Sequence, residues 1–237
     1  MIHRNCPLKT MTPTMNPHLI IVAAGTGSRM NSDKPKQYMP LLHRGIQKPV
    51  LAHTIDAFLP LIPLSHIHIV IHGDHGDYFQ TIQNLYNASL HPIIGGQTRQ
   101  DSVKNALQYL YDSQSCAPDS PVLIHDAARP FISQTIIQNH LDIFKDPNIH
   151  AACTFMPAVD TICQSDDPAL YGVPLSRDSL QIIQTPQSFR FQMIYDLHHQ
   201  NNATITDDCI LAQQSGYKVH RILGERQNYK ITLNSDL

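Results

Sequence analysis

The chain has 237 residues, of which 42% are hydrophobic and 15% charged, with a formal net charge of -2. That is enough for one domain with a sizeable core, and the absence of any long Lys/Arg block excludes the electrostatic footprint of a nucleic-acid binder while leaving room for a small anionic ligand. Cys6, Cys116, Cys153, Cys163 and Cys209 are widely spaced with no Cys-x-x-Cys pair, which favours a reducing compartment and no structural zinc.

The longest apolar stretches are strand-sized, and residues 1–17 carry prolines and scattered polar groups instead of a signal peptide's apolar centre. A cytoplasmic protein with no membrane partner follows, with 1–17 as a loose extension and 18–237 as a single domain. In chain order, "LIIVAAG" is a buried-strand run, and "VLAHTIDAFL" places Leu51, Ile55, Phe58 and Leu59 on one helical face. "IHIVI" is the next strand, followed by a helix with Phe79, Ile82, Leu85 and Tyr86 and by the short run "HPII". A helix from about Thr98 buries Val103, Ala106, Leu107 and Leu110; "PVLIHDAARP" supplies a strand, and Ser133 caps "QTIIQNHLDIF".

The alternation predicts an α/β fold, a Rossmann-like mostly parallel sheet flanked by helices. It breaks near Met156: from about 157 to 180 two short extended pieces surround an Asp-Asp-Pro turn, the pattern of a projecting β-hairpin arm. Helices return at "FQMIYDLHH" and at "DDCILAQQSG", the latter with Thr206 as N-cap and Gly216 as a left-handed terminator. Strands at "YKVHRIL" and "NYKITL" close the chain.

Ligands of open α/β sheets sit beyond the carboxyl ends of the strands, so the loops there carry the chemical reading. "VAAGTGSRMNSDKPKQY" has Met30 where a dinucleotide fingerprint needs its third glycine, and it lacks the Gly-Lys-Ser/Thr of a Walker A loop. What remains is a glycine loop able to approach phosphates, followed by Arg29, Lys34 and Lys36; a glycine turn with solvated cations has the same spelling. In "IIGGQTRQDSVKNAL", Gly95 and Gly96 let a flat base approach the backbone and Ser102 lies on the following helix's first turn. In "LIHDAARPF", Asp126 stands at a strand's carboxyl tip with Arg129 close by. One carboxylate plus substrate phosphates is a usual magnesium site, and an Asp126–Arg129 loop brace is the plain alternative.

Taken in one register, "AAGTGSRM", "PKQY", "GGQTRQDSV", "HDAARPF", "VDT", "QTPQSF", "TITDD" and "NYKIT" resemble the 2-C-methyl-D-erythritol 4-phosphate cytidylyltransferases, from about Leu19 to Leu237. The resemblance implies transfer of a cytidylyl group from CTP to 2-C-methyl-D-erythritol 4-phosphate, with Mg2+ as the divalent cation. It implies that Arg29, Lys36 and Lys230 grip the reacting phosphates, and that Ala23, Ala24, Gly25, Gly96 and Ser102 hold the CTP. Asp126 would hold the metal, and Asp126, Ala127, Arg129, Thr185 and Thr206 would line the acceptor site. It further implies a homodimer in which the arm swaps, so that Thr161 and Arg177 reach a second copy's site.

Departures are Val22, where many members carry proline, and the end at "NSDL", where members usually continue into a final helix and some are fused to a cyclase. Ribitol-5-phosphate cytidylyltransferase is the near alternative, although it tends toward "HDSVRPF"; a nucleotide-binding regulator without catalysis would not need the full set of cations. Fifteen histidines invite a metal reading, since His66, His68 and His72 share one side of an extended strand. No acidic partner sits in register, so solvated or hydrogen-bonded histidines are expected there.

Overall fold

The protein is described by a computed structural model covering residues 16–26, 34–86, 90–200, 205 and 207–237. Most of the expected extension, together with Arg29 and Thr206, lies outside the described residues.

Six of the seven strands of the central sheet run parallel, in the order β11-β7-β10-β6-β1-β4-β5. Here β1 is His18–Ala23, β4 Ile67–Ile71, β5 Pro92–Ile94, β6 Pro121–Asp126, β7 Ala151–Pro157, β10 Gln181–Arg190 and β11 Val219–Leu223. Successive side chains of a strand face opposite sides, and both sides are apolar. Leu19, Ile21 and Ala23 of β1 join Ile67, Ile69 and Ile71 of β4 on one face, whereas Ile20 of β1 joins Val70, Val122 and Ile124 on the other.

Helices cover both faces. α1 (Val50–Phe58), α2 (Gly76–Gln83) and α4 (Gln134–Asp142) bury Leu51, Ile55, Phe58, Phe79, Ile82, Ile136 and Ile137 on the first face. α3 (Arg99–Asp112), α5 (Phe191–Gln200) and α6 (Asp208–Gln214) supply Val103, Leu107, Leu110, Phe191, Ile194 and Leu211 to the second. Ser133 caps α4 as expected, accepting the Ile136 N–H, and Gly216 has φ 88°.

Several expectations are corrected. The α6 cap is Asp207, whose carboxylate accepts the N–H groups of Cys209 and Ile210, so the reading of Thr206 as N-cap does not hold. Leu85 lies beyond the end of α2 and is exposed, not part of its buried face. "NYKITL" is not a strand: Ile231 N–H donates to Ala128 O at 2.8 Å, so this segment is tied to the loop after β6 and not to a sheet edge. β2 (Pro40–His43) and β3 (Ile46–Pro49), a hairpin turned by Arg44 at φ 51° and Gly45 at φ 76°, were not anticipated.

Nor was β10. Chain leaving β7 returns as β10 antiparallel to it, from Gln181 opposite Pro157, after the antiparallel pair β8 (Cys163–Gln164) and β9 (Val173–Pro174). A register shift between Ile183 and Gln187 lets Thr185 turn toward the end of β6.

Candidate active site

β1 has β4 on one side and β6 on the other, so the sheet's strand order reverses there and a crevice opens beyond the carboxyl ends of β1 and β6. A cavity of about 330 Å3 occupies that crevice, lined by Ala23, Ala24, Gly25 and Thr26 from the β1 loop, by Gly96 and Ser102 near the start of α3, and by Lys36, Asp126, Ala127 and Lys230.

Local chemistry fixes each wall. Gln37, buried beside Lys36, donates to Ala23 O at 2.7 Å and Gly25 O at 2.8 Å, which holds the glycine loop open. Thr98 and Asp101 form a capping box, an arrangement that satisfies two otherwise orphaned N–H groups and fixes the start of α3. Ser102 accepts from Gly96 N–H at 3.2 Å and donates to Thr98 O at 2.9 Å, so its hydroxyl shapes the loop. A β-carbon on Gly95 would lie 2.6 Å from Ser102 Oγ and 2.8 Å from Ala24 Cβ, and one on Gly96 would collide with Asp101. Only bare backbone fits there.

A second cavity, about 190 Å3, adjoins the first and is lined by Arg129, Ile183, Gln184, Thr185, Gln187 and Asp207. The two share Arg99, Asp126 and Lys230. Asp126 Oδ2 is 2.9 Å from Lys230 Nζ and 3.3 Å from Arg129 Nε, and Oδ1 is 3.8 Å from Arg99 Nε. The loop brace and the cluster of cations are therefore the same structure.

Burial alone would raise the Asp126 pKa, but Lys230, Arg99 and Arg129 hold it well below the usual carboxylate range. The Asp126 N–H is taken by Thr185 Oγ1 at 3.1 Å, and that hydroxyl also meets His125 Nδ1. Burial pushes the His125 pKa down to about 4.

Lys230 is delivered by side-chain ties. Arg129 Nη1 donates to Asn228 O, Asn228 Nδ2 donates to Thr185 O, and Lys36 Nζ donates to Ile231 O at 2.7 Å. Thus Lys36, Asp126, Arg129, Thr185 and Lys230 converge, although they come from distant parts of the chain. Thr161 and Arg177 do not line either cavity; both are exposed, and Arg177 Nη1 donates to Val159 O.

Among the described residues no group of three or more His, Cys, Asp or Glu side chains converges as a metal site. A hard cation here would instead have the Asp126 carboxylate, whose Oδ1 lies 3.8 Å from Arg99 Nε, plus ligand phosphates; one carboxylate with phosphates is a donor set that fits magnesium. His68 is buried and bonds His18 at 3.0 Å, in line with the hydrogen-bonded reading, while His66 and His72 lie just outside β4.

Arg99 was missed in the sequence, although "GGQTRQDSV" contains it, because nothing in its spacing announces a partner 109 positions away at Asp208, 2.6 Å distant. Gln37 was also missed; it sits inside the "PKQY" stretch whose cations drew attention.

Residues 18–237 match the family model for 2-C-methyl-D-erythritol 4-phosphate cytidylyltransferase. A protein of that name from Clostridioides difficile is 37% identical over 92% of this chain and 90% of its own length. A ribitol-5-phosphate cytidylyltransferase from Lactiplantibacillus plantarum is 32% identical over 92% of this chain and 93% of its length. The chain spans about half the length of bifunctional IspD/IspF relatives, 54% for one from Rhizobium leguminosarum that is 34% identical over 92% of this chain. The crystal structure of the Francisella tularensis 2-C-methyl-D-erythritol 4-phosphate cytidylyltransferase superposes with a TM-score of 0.74 at 30% identity, covering 93% of this chain and 96% of that one.

Proposed function

Because the chain belongs to the 2-C-methyl-D-erythritol 4-phosphate cytidylyltransferase family, we propose that the two adjoining cavities divide the labour of that nucleotidyl transfer, the larger holding CTP and the smaller the acceptor phosphate. The enzyme transfers a cytidylyl group from CTP to 2-C-methyl-D-erythritol 4-phosphate, giving 4-diphosphocytidyl-2-C-methyl-D-erythritol and pyrophosphate. The observation that carries the division is the shared wall of Arg99, Asp126 and Lys230 between the cavities.

Ala23, Ala24, Gly25, Gly96 and Ser102 receive the cytosine and ribose, where bare backbone lets a flat ring approach. Arg29, Lys36 and Lys230 meet the triphosphate. Ala127, Arg129, Thr185 and Thr206 face the sugar phosphate. A phosphate monoester is already largely a dianion at neutral pH, so its oxygen attacks the α-phosphorus in line without a general base. Fixed cations in a partly buried site stabilise the extra charge on the equatorial oxygens, and positioning supplies the rest of the rate. Magnesium, where bound by Asp126, supplies further neutralisation of the α-phosphate.

The same reading makes 18–237 a single nucleotidyltransferase domain, with 1–17 an extension and about 157–180 a dimerisation arm. A homodimer would bring Thr161 and Arg177 of one copy to the 4-phosphate bound by the other. Support comes from the arm's surface: Leu170, Tyr171 and Val173 are 66%, 84% and 71% exposed, an apolar patch that a second copy would cover. A cytoplasmic location accords with the described cysteines, Cys116, Cys153, Cys163 and Cys209, all being thiols.

Pyrophosphate release, measured with CTP and either 2-C-methyl-D-erythritol 4-phosphate or ribitol 5-phosphate, tests this reading. Release with the first acceptor at a kcat/KM at least tenfold above the second is expected. Preference for ribitol phosphate, or CTP binding without pyrophosphate, would overturn it.

A further inference from the structure

Behind the shared wall lies an ionic chain for which the transfer chemistry has so far given no use. Asp208, only 2% exposed, accepts Arg99 Nη1 at 2.6 Å through Oδ2, and its Oδ1 meets His198 Nε2 at 3.0 Å. Its position is set from two sides. His198 sits near the end of α5, and the neighbouring Asp207 both caps α6 and accepts Gln187 Nε2 of β10 at 2.6 Å. Burial would raise the Asp208 pKa, but Arg99 and then His198 hold it below its ordinary value, so the carboxylate stays charged.

An ion pair whose carboxylate is buried and whose guanidinium is mostly so is a poor way to stabilise a fold, because desolvation offsets much of the attraction. Arg99 is also not required to neutralise Asp126, which already has Lys230 at 2.9 Å and Arg129 at 3.3 Å. What the pair does achieve is orientation. Arg99 is the first residue of α3, its backbone pinned by the capping box and its guanidinium clamped from behind by Asp208. A guanidinium has five donors in a rigid fork. One is committed to Asp208, and Nε stops 3.8 Å short of Asp126, beyond hydrogen-bond reach. Arg99 lines both cavities, and in the transfer reading the phosphoryl group passes between them from leaving to attacking oxygen.

We infer that Arg99 is a further catalytic residue, a cation that contacts the nonbridging oxygens of the α-phosphoryl group in transit, and that Asp208, braced by His198, is its positioning residue. This rests on the cytidylyl-transfer reading. Loss of Arg99 removes charge that is needed most in the transition state, so it lowers kcat more than it raises KM. Loss of the Asp208 charge releases the guanidinium from its aim and has an effect only while Arg99 is present.

A double-mutant cycle on the full chain tests this, with kcat and both KM values measured by pyrophosphate release for wild type, Arg99→Ala, Asp208→Asn and the double variant. Arg99→Ala is expected to lower kcat about 100-fold with each KM changed less than about threefold. Asp208→Asn alone should lower kcat about tenfold, yet add nothing in the R99A background, which a merely structural role for Asp208 would not reproduce. If Asp208→Asn does not fold, His198→Gln, which leaves the carboxylate in place, is put through the same cycle and should show the same masking at smaller amplitude. An unchanged kcat in Arg99→Ala, a loss confined to the KM for CTP, or independent multiplicative losses in the double variant would each overturn the inference. A wild-type protein that releases no pyrophosphate would instead count against the transfer reading itself.

Discussion

Around Asp126 the chain answers its own charges, and in the segment from 158 to 180 it leaves surface unanswered. The carboxylate at the end of β6 is met by Lys230 and Arg129, Arg99 is met by Asp208, and the loops carrying them are cross-tied by Gln37, Asn228 and Thr185. In the hairpin of β8 and β9, each strand has two residues, Leu170, Tyr171 and Val173 face solvent, and Arg177 Nη1 donates to the Val159 carbonyl. Under the proposed reading, the contrast teaches that the described part of the nucleotide cleft is assembled within one chain, whereas the hairpin gains its role against something else. Under the proposed reading, that something is a second copy.

The sharpest way to break the comparison is Lys36→Ala. If the cleft is preorganised within one chain, this variant loses about 10³-fold in kcat while the KM for CTP moves little, as steady-state kinetics will show. Wild-type turnover would remove Lys36 from the reaction.

Acid probes the same side of the comparison through stability. His125 lies under Asp126, and His140 bonds Ser188 and Thr154; burial lowers their pKa values to about 4 and about 3. Both are neutral in the folded chain where an unfolded histidine would take a proton below about pH 6.5. Their contribution is therefore fully present above that pH and is lost as pH falls from about 6.5 toward about 4 for His125 and about 3 for His140. Each should remove about 2 kcal/mol of unfolding free energy between pH 7 and pH 5. Asp126 and Asp208, with depressed pKa values, stay ionised across this window. Urea titrations at the two pH values check this, and a flat profile would show that the cleft's scaffold is not as closed as described.

The hairpin side is tested next. Arg177→Ala should raise the KM for the sugar phosphate about tenfold to thirtyfold, the range for losing one charge-assisted contact, and leave the KM for CTP unchanged. Mixed with Lys36→Ala chains it should regain activity, because one site of each mixed dimer then joins an intact cleft to an intact arm. No recovery would separate the arm from the cleft. The smallest effect is on stability: Tyr171→Ser should shift unfolding of the isolated chain by less than about 0.5 kcal/mol while lowering the dimer fraction in sedimentation. A large loss of folding stability would place Tyr171 in the chain's own core instead.

The β1, β4 and β6 strands and the loops that follow them were legible because a two-sided apolar run and a glycine turn are local signals. β10 was not legible: its "TPQ" contains a proline that argues against an interior strand, and the register shift between Ile183 and Gln187 that accommodates this stretch is decided by neighbouring strands. "NYKITL" misled for the opposite reason, its alternation mimicking a strand while the Ile231 N–H goes to Ala128 and Lys36 takes the Ile231 carbonyl. The hairpin of β2 and β3 turns on Arg-Gly, a weaker signal than Asn-Gly or Asp-Gly. Lys36, Asp126 and Lys230, which motif register picked out, line one cavity. Arg99 and Asp208 were visible only once the fold brought the starts of α3 and α6 within reach of each other, since an ion pair between two helix starts leaves no mark in spacing.

In the proposed transfer, an acceptor oxygen in one cavity displaces pyrophosphate from a nucleotide in the other, directly, across a wall of fixed cations. The stereochemical course at the α-phosphorus measures this most directly, using CTP made chiral there by sulfur substitution and reading the configuration of the product. Inversion is predicted, because a single in-line displacement turns the phosphorus over once. Retention would contradict the account, for it would require two displacements and a nucleotidylated side chain between them.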